Sequence, residues 1–362
     1  MRLSLAATTA GAAAAIAAYR RRRPSDDLAG EVALVTGASR GLGLLIATEL
    51  AGRGCRLLLC ARDGAELERA ASRLRSTGAE VAIVACDVTH QESAGQLVDA
   101  ARERYGRLDI LVNNAGIIRV GPVESTGAAD YEAALAAMTM APVRLALAAL
   151  PVMRAQGHGR IVTITSIGGK LSVPHLLPYS TAKFAAVGFS EGLRAELGGG
   201  PVIVTTVVPG LMRTGSHVRA EFAGRKNQEF TWFSLGASLP LVSMDAERAA
   251  TQIVAGVAAR RPEVFLTPAA QVVGRLASLA PEITAPVLHA VQNTALPDPD
   301  GDDAAVPGRE LHPTLPGSVF GVLTSLGRAA AARFNELGRM PGSAAGNRGS
   351  DPGLDHEGDD RD

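Results

Sequence analysis

Seven short apolar runs recur between residues 31 and 267, and most are followed by a stretch long enough for a helix. They are EVALVT (31–36), RLLLCA (56–61), VAIVAC (81–86), DILVNN (109–114), RIVTIT (160–165), VIVTTVV (202–208) and EVFLT (263–267). Most are continuously apolar and not alternating, as expected of strands covered on both faces of a parallel sheet. Segments 42–53, 64–77, 91–105, 127–156 and 178–197 supply the crossover helices. This pattern predicts an α/β fold, a doubly wound parallel seven-stranded sheet with helices on both faces.

Charge narrows the partners. The 362 residues carry 36 Lys+Arg against 36 Asp+Glu, so no global field recruits nucleic acid, and the conspicuous basic cluster is Arg20 to Arg23. The three cysteines, Cys55, Cys60 and Cys86, lack metal-ligand spacing and read as reduced thiols of a cytosolic compartment, with no metal site.

The arginine cluster follows an uncharged, Ala-rich stretch, Leu3 to Ala18. At about 1.5 Å per residue it reaches roughly 24 Å, short of a ~30 Å hydrocarbon core. A secretory signal fits poorly, because the arginines follow the apolar stretch and do not merely precede it. Residues 1–23 therefore read as a membrane anchor with its arginines on the cytoplasmic face. A plain N-terminal Ala helix, or a start codon assigned too early, is the alternative. Beyond residue 268 the strand pattern stops. Ala269, Val272, Val273, Leu276 and Leu279 recur at helical spacing on a segment reaching about 292, residues 297–308 have a linker's composition, and a further helix is expected over 317–337. Residues 29–267 are thus the expected catalytic domain, 268–338 a helical C-terminal extension and 339–362 a Gly-, Ser- and Asp-rich disordered tail.

TGASRGLG (36–43) follows the first strand and opens the first helix. In that context glycines let the backbone turn tightly and approach a pyrophosphate, while the helix N-terminus offers unpaired N–H groups. An acidic residue ending the second strand would favour a free ribose 2′-hydroxyl. This chain has Ala61 and Arg62 there, and Arg40 inside the glycine loop. Two guanidinium groups converging on a 2′-phosphate predict NADP(H).

With CDV (86–88), NNAG (113–116), a serine on the fifth strand, YSTAK (179–183) and PGLMRT (209–214) in the same order, residues 29–267 resemble a short-chain dehydrogenase/reductase. That resemblance implies a Rossmann fold, a dimer or tetramer, and a small carbonyl or alcohol substrate. It places Gly37, Ser39, Arg40, Gly41, Leu42, Gly43 and Arg62 at the cofactor. It sets Asp87 and Val88 at the adenine and Asn113 as the residue steadying the central strand beside the adenosine ribose. It also sets the loop with Pro209, Gly210 and Thr214 at the nicotinamide carboxamide.

The chemistry points the same way. A carbonyl that accepts a hydride develops negative charge on oxygen and needs a proton donor there. Tyr179 suits that role. Lys183, one helical turn on, would favour the phenolate by its charge and could hold the nicotinamide ribose. Ser166, thirteen residues before Tyr179, falls where the family places the hydroxyl that positions the substrate oxygen.

One residue departs from the family. Aligning TMAPVRL (139–145) with the family's pattern puts Met138 where an asparagine tied to a bound water connects the lysine to solvent. A thioether offers no N–H and accepts weakly. Three readings stay open: a relay rerouted through another group such as Thr139, slow turnover, or a membrane-tethered NADP-binding scaffold with impaired catalysis. Residues 211–245 have a lid's composition, in which Trp232 and Phe233 either line an apolar pocket or pack within a helix pair. His175, Leu176 and Leu177 are further candidates to face the substrate, with His175 read as a loop residue in preference to a general base. The leading expectation is an NADP(H)-dependent carbonyl reductase or alcohol dehydrogenase acting on a small lipophilic substrate at the cytoplasmic face of a membrane. Reduction of a carrier-bound 3-oxoacyl group is the alternative within enzymes.

Overall fold

In the computed structural model, which describes residues 27–240 and 243–337, each apolar run is a strand. They are β1 (Val32–Thr36), β2 (Arg56–Ala61), β3 (Val81–Ala85), β4 (Ile110–Asn113), β5 (Gly159–Ile164), β6 (Val202–Val208) and β7 (Glu263–Phe265). They form one sheet in the order β7-β6-β5-β4-β1-β2-β3, with every pairing parallel. Successive side chains point to opposite faces, so Ala33 and Val35 join one buried cluster while Val32 and Leu34 join the other. A strand buried on both sides can therefore be apolar at every position.

The first cluster packs under α1 (Gly41–Gly52), α2 (Gly64–Arg75) and α8 (Ala246–Ala258). The second lies under α3 (Ser93–Tyr105), α5 (Ala141–Gln156) and α6 (Leu177–Glu196). Strand order reverses between β1 and β4, which opens a crevice at their carboxyl ends. Before α5 run α4 (Ala128–Leu135) and a π-helical turn, Ala136–Met140. The combined helix, Ala128–Gln156, is the one among the described residues long and apolar enough to cross a membrane. Leu145, Ala146, Ala149 and Met153 are nevertheless buried against the sheet, so it is a core helix. The lid region contains α7 (Lys226–Ser238).

The C-terminal extension differs from expectation in its breaks. The segment 269–292 is two helices, α9 (Pro268–Leu279) and α10 (Pro281–Ala295), because Pro281 disfavours helical backbone at Ala280, which sits at φ −138°. The segment 317–337 is likewise divided, into α11 (Gly317–Leu323) and α12 (Ser325–Arg333). Residues 297–308, linker-like by composition, are pinned to the lid. Lys226 pairs with Asp302 at 2.6 Å, Arg225 with Asp298 at 3.1 Å, and Val306–Pro307 runs antiparallel to Glu221–Phe222. The anchor expected over 1–23 and the tail expected over 339–362 lie outside the described residues.

Candidate active site

The glycine loop joins β1 to α1 at the crevice. Gly37 and Gly41 have φ of +63° and +53°, a region that favours glycine. At Gly43 a Cβ would lie 2.2 Å from the Gly37 carbonyl, so only glycine lets α1 start this close to the strand. The loop is braced by Asn114, whose Nδ2 donates to the Thr36 and Gly37 carbonyls and whose backbone N–H donates to Thr36 Oγ1. This corrects the expectation for Asn113: Asn114 makes the bonds that steady the central strands. Adjacent residues at a strand end face opposite ways, so a pattern of two asparagines could not say which one does so. Asn113 is buried with both Oδ1 and Nδ2 unpartnered.

Ser166 lies two residues past β5 and caps a 3₁₀ turn (Ile167–Gly169); Tyr179 lies in the first turn of α6, and Lys183 follows on the same helix face. The Lys183 ammonium lies 5.7 Å from the Tyr179 ring centre and donates to the Ile164 carbonyl at 2.8 Å. Ser166 Oγ accepts from the Gly168 N–H and faces the Tyr179 hydroxyl. Gly168 is packed so that a Cβ there would lie 3.2 Å from the tyrosine ring. The three expected residues therefore converge. Their electrostatics differ from expectation: burial raises the Tyr179 pKa, with Ser166 opposing, and the same burial pushes Lys183 down to about 8. Desolvation outweighs the Ser166 hydrogen bond at the phenol.

Met138 lies in the π-helical turn, buried with Ala134, Ala137 and Ala182 and adjoined by Tyr179. Its sulfur rests against Gly116 of the NNAG turn, 3.2 Å from where a Cβ would be. Thr139, the expected substitute in a relay, donates its hydroxyl to the Ala182 carbonyl at 2.9 Å, next to Lys183. On the lid, Phe233 packs edge-on to Phe222 and Trp232, in a cluster with Phe230 and Phe320 that reaches Tyr179. Phe233 is thus packed between its own helix and Phe222, and Trp232 anchors itself by donating Nε1–H to Glu229 at 2.6 Å. His175 is a buried loop residue at φ +61°, held by Glu229 at 2.7 Å and Gln292 at 2.8 Å. Leu176 is buried in the same cluster, while Leu177 is exposed.

The remaining candidates fall in two groups, past the carboxyl ends of β6 and β3. Pro209 accepts from the Ile167 N–H, Gly210 follows it, and Thr214 is buried with its Oγ1 accepting from the Ser216 N–H. Asp87, after β3, accepts twice from Thr89, with Val88 half-buried behind it. The two arginines do not meet at a common point. Arg40 bonds Glu66 at 2.7 Å, whereas Arg62 is largely exposed and 4.0 Å from Asp87. Ser39 also donates to Glu66, a buried carboxylate in the first turn of α2. Glu66 and Arg219, which reaches Glu66 at 3.3 Å, were not recognised in the sequence because their meeting spans 153 positions. The glycine cradle and the orphaned Asn113 amide fit a dinucleotide: one offers close backbone approach and the other an unused donor and acceptor.

The sequence profile described as short chain dehydrogenase matches residues 31–222. This chain belongs to the short-chain dehydrogenase/reductase family and is an oxidoreductase acting on CH–OH or C=O groups. It is 39% identical over 219 residues to a protein of Streptomyces violaceoruber named as a ketoacyl reductase of the granaticin polyketide synthase, covering 58% of this chain and 79% of that one. A Burkholderia phymatum family member solved with NAD superposes with a TM-score of 0.65 at 28% identity, covering 71% of this chain and 96% of that one. The L-sorbose reductase of Gluconobacter frateurii, solved with NADPH and L-sorbose, gives 0.60 at 28% identity, covering 67% and 97%. The family's cofactor is thus a nicotinamide dinucleotide, NAD or NADP.

Proposed function

We propose that this chain is an NADP(H)-dependent oxidoreductase acting on the carbonyl or alcohol of a small lipophilic molecule, with Tyr179 as the acid/base. The observation that carries the reading is the convergence of Ser166, Tyr179 and Lys183 beside the glycine cradle and Asn113. The dinucleotide, when bound, supplies or accepts the hydride. Gly37, Ser39, Gly41, Leu42, Gly43, Asp87, Val88 and Asn113 would hold it on one side, and Pro209, Gly210 and Thr214 on the other. Tyr179 donates its hydroxyl proton to the substrate oxygen in reduction, and Ser166 orients that oxygen by a hydrogen bond. Lys183 holds the ribose and, while charged, assists loss of the tyrosine proton. The absence of an acidic residue at the end of β2, where Ala61 stands, and the exposed Arg62 beside it support NADP over NAD.

The lipophilic character of the substrate rests on the apolar composition of residues 230–241. The granaticin relative supports the second reading, reduction of a carrier-bound 3-oxoacyl group. Attachment to the cytoplasmic face of a membrane through residues 3–18 rests on sequence, as does assembly into a dimer or tetramer. In a panel of ketones and alcohols followed by NADPH absorbance, Tyr179→Phe is expected to lower turnover by about 10²- to 10⁴-fold while dinucleotide binding persists. Tight NADPH binding with no turnover on any substrate would support the scaffold reading instead. Arg62→Ala is expected to erode the preference for NADPH, and an unchanged preference refutes the arginine's role.

A further inference from the structure

The last described segment of the chain reaches the glycine loop. Helix α12 ends at Arg333, and Asn335 takes φ +64°, the left-handed position that closes a helix and which asparagine tolerates well. That turn sends residues 334–336 across the start of α1. The Phe334 carbonyl accepts the Gly41 N–H at 2.9 Å, so a donor of the helix N-terminus is taken. Asn335 Nδ2 donates to the Ser39 carbonyl at 2.8 Å. The Glu336 carboxyl presses on Gly41: its Oε1 is 2.6 Å from where a Cβ there would stand.

The same carboxyl lies between two arginines. Glu336 Oε2 is 3.2 Å from Arg40 Nε, yet this buried oxygen makes no hydrogen bond. Arg219 Nε donates to the Glu336 backbone carbonyl at 2.7 Å, and its other arm reaches Glu66. Helix α12 leans as closely on the other wall of the crevice. Gly215, one residue past Thr214 and at φ +85°, has the Ala331 Cα 2.4 Å from its missing Cβ. Two glycines on the two loops that would enclose the dinucleotide are thus both covered by residues 331–336.

From these contacts we infer that residues 334–336 are a built-in competitor for the dinucleotide's phosphates. Gly41 N–H, Arg40 and Arg219 form an anion seat, Phe334 and Glu336 occupy it, and the segment leaves when a phosphate group enters. This rests on the dinucleotide reading above and adds Arg219 to the groups that meet the phosphates. The driving exchange is simple: a phosphate carries more negative charge than the segment and can take the N–H and both guanidinium groups together.

The test is calorimetric binding of NADP⁺ to the full chain, to a chain ending at Arg333, and to Glu336→Lys. The lysine keeps Phe334 and Asn335 but sets a third cation against Arg40 and Arg219. Both variants are expected to bind NADP⁺ about tenfold more tightly, a coupling of ordinary size. Hydrogen exchange over residues 325–336 of the full chain is expected to speed up when NADP⁺ is added. Unchanged or weaker affinity in both variants, or slower exchange over 334–336 on binding, overturns the competitor and makes the segment a bystander or a clamp. Failure of every form to bind NADP⁺ overturns the dinucleotide reading with it.

Discussion

The two halves of the C-terminal extension have similar Ala-, Val- and Leu-rich helical sequences and opposite fates. In α9 and α10 the apolar side chains stay outside: Leu279 is 80% exposed, Ile283 69%, and α10 buries no residue. Across α11, α12 and the turn that follows, Phe320, Thr324, Ala330, Ala331, Phe334 and Glu336 are buried. Periodicity alone predicts that a helix has an apolar side, and the difference shows that it does not predict what that side meets. The second half finds the lid aromatics and the glycine loop. The first half reaches the body chiefly through Ala270 and Gly274, the latter set against Ile167, Lys170 and Phe265, and through Gln292 on His175.

Phe320→Ala should give the largest effect. Its ring lies 5.9 Å from Phe230, and its loss should cost about 3–5 kcal/mol in denaturant unfolding, as for other buried aromatics. A loss under about 1 kcal/mol would mean that the second half is as loosely held as the first. Thr267→Ala comes next. Thr267 accepts the Ala270 N–H at 3.1 Å as the cap of α9, and its removal should cost about 1 kcal/mol. Leu279→Ser should be smallest, within about 0.5 kcal/mol, since it touches no core. A clear loss of stability there would show that the exposed face is covered in solution.

A pH series sharpens the same contrast. Burial pushes the Glu336 carboxyl from its ordinary 4.5 up to about 7, against the pull of Arg40 and Arg219 and with the push of Glu66. A raised carboxyl favours the docked segment while it is protonated. Its contribution is complete below about 4.5 and is lost as pH rises through about 7. Hydrogen exchange over residues 325–336 should therefore speed up, relative to α9 and α10, between about pH 5.5 and about pH 8.5. Glu336→Gln should flatten that dependence; a persistent one would place the titrating group elsewhere.

Tyr179 and Met138 mark how far the sequence reaches into the site. The YxxxK spacing sets two side chains on one helix face by local geometry, and a serine at a strand end falls near them by topology. The sheet was legible for the same reason, since seven apolar runs with helices between them admit few arrangements. Which asparagine of the pair braces β1, however, depends on strand-end geometry, and the resemblance pointed to Asn113 where Asn114 does the work. Met138 was recognisable as a departure. Its packing on Gly116 and against the Tyr179 cluster emerged only from the π-helical turn that aims it there.

By itself, then, the sequence determined the elements, their parallel order and the residue types gathered at the carboxyl ends of β1, β4 and β5. These follow from periodicities and short spacings that act within a few residues of chain. Tertiary structure alone decided that Arg40 faces Glu66 and Glu336, that Lys183 and Tyr179 sit dry, and that residue 334 bonds residue 41. Those outcomes depend on contacts between segments separated in the chain and on desolvation, and neither leaves a local pattern in it.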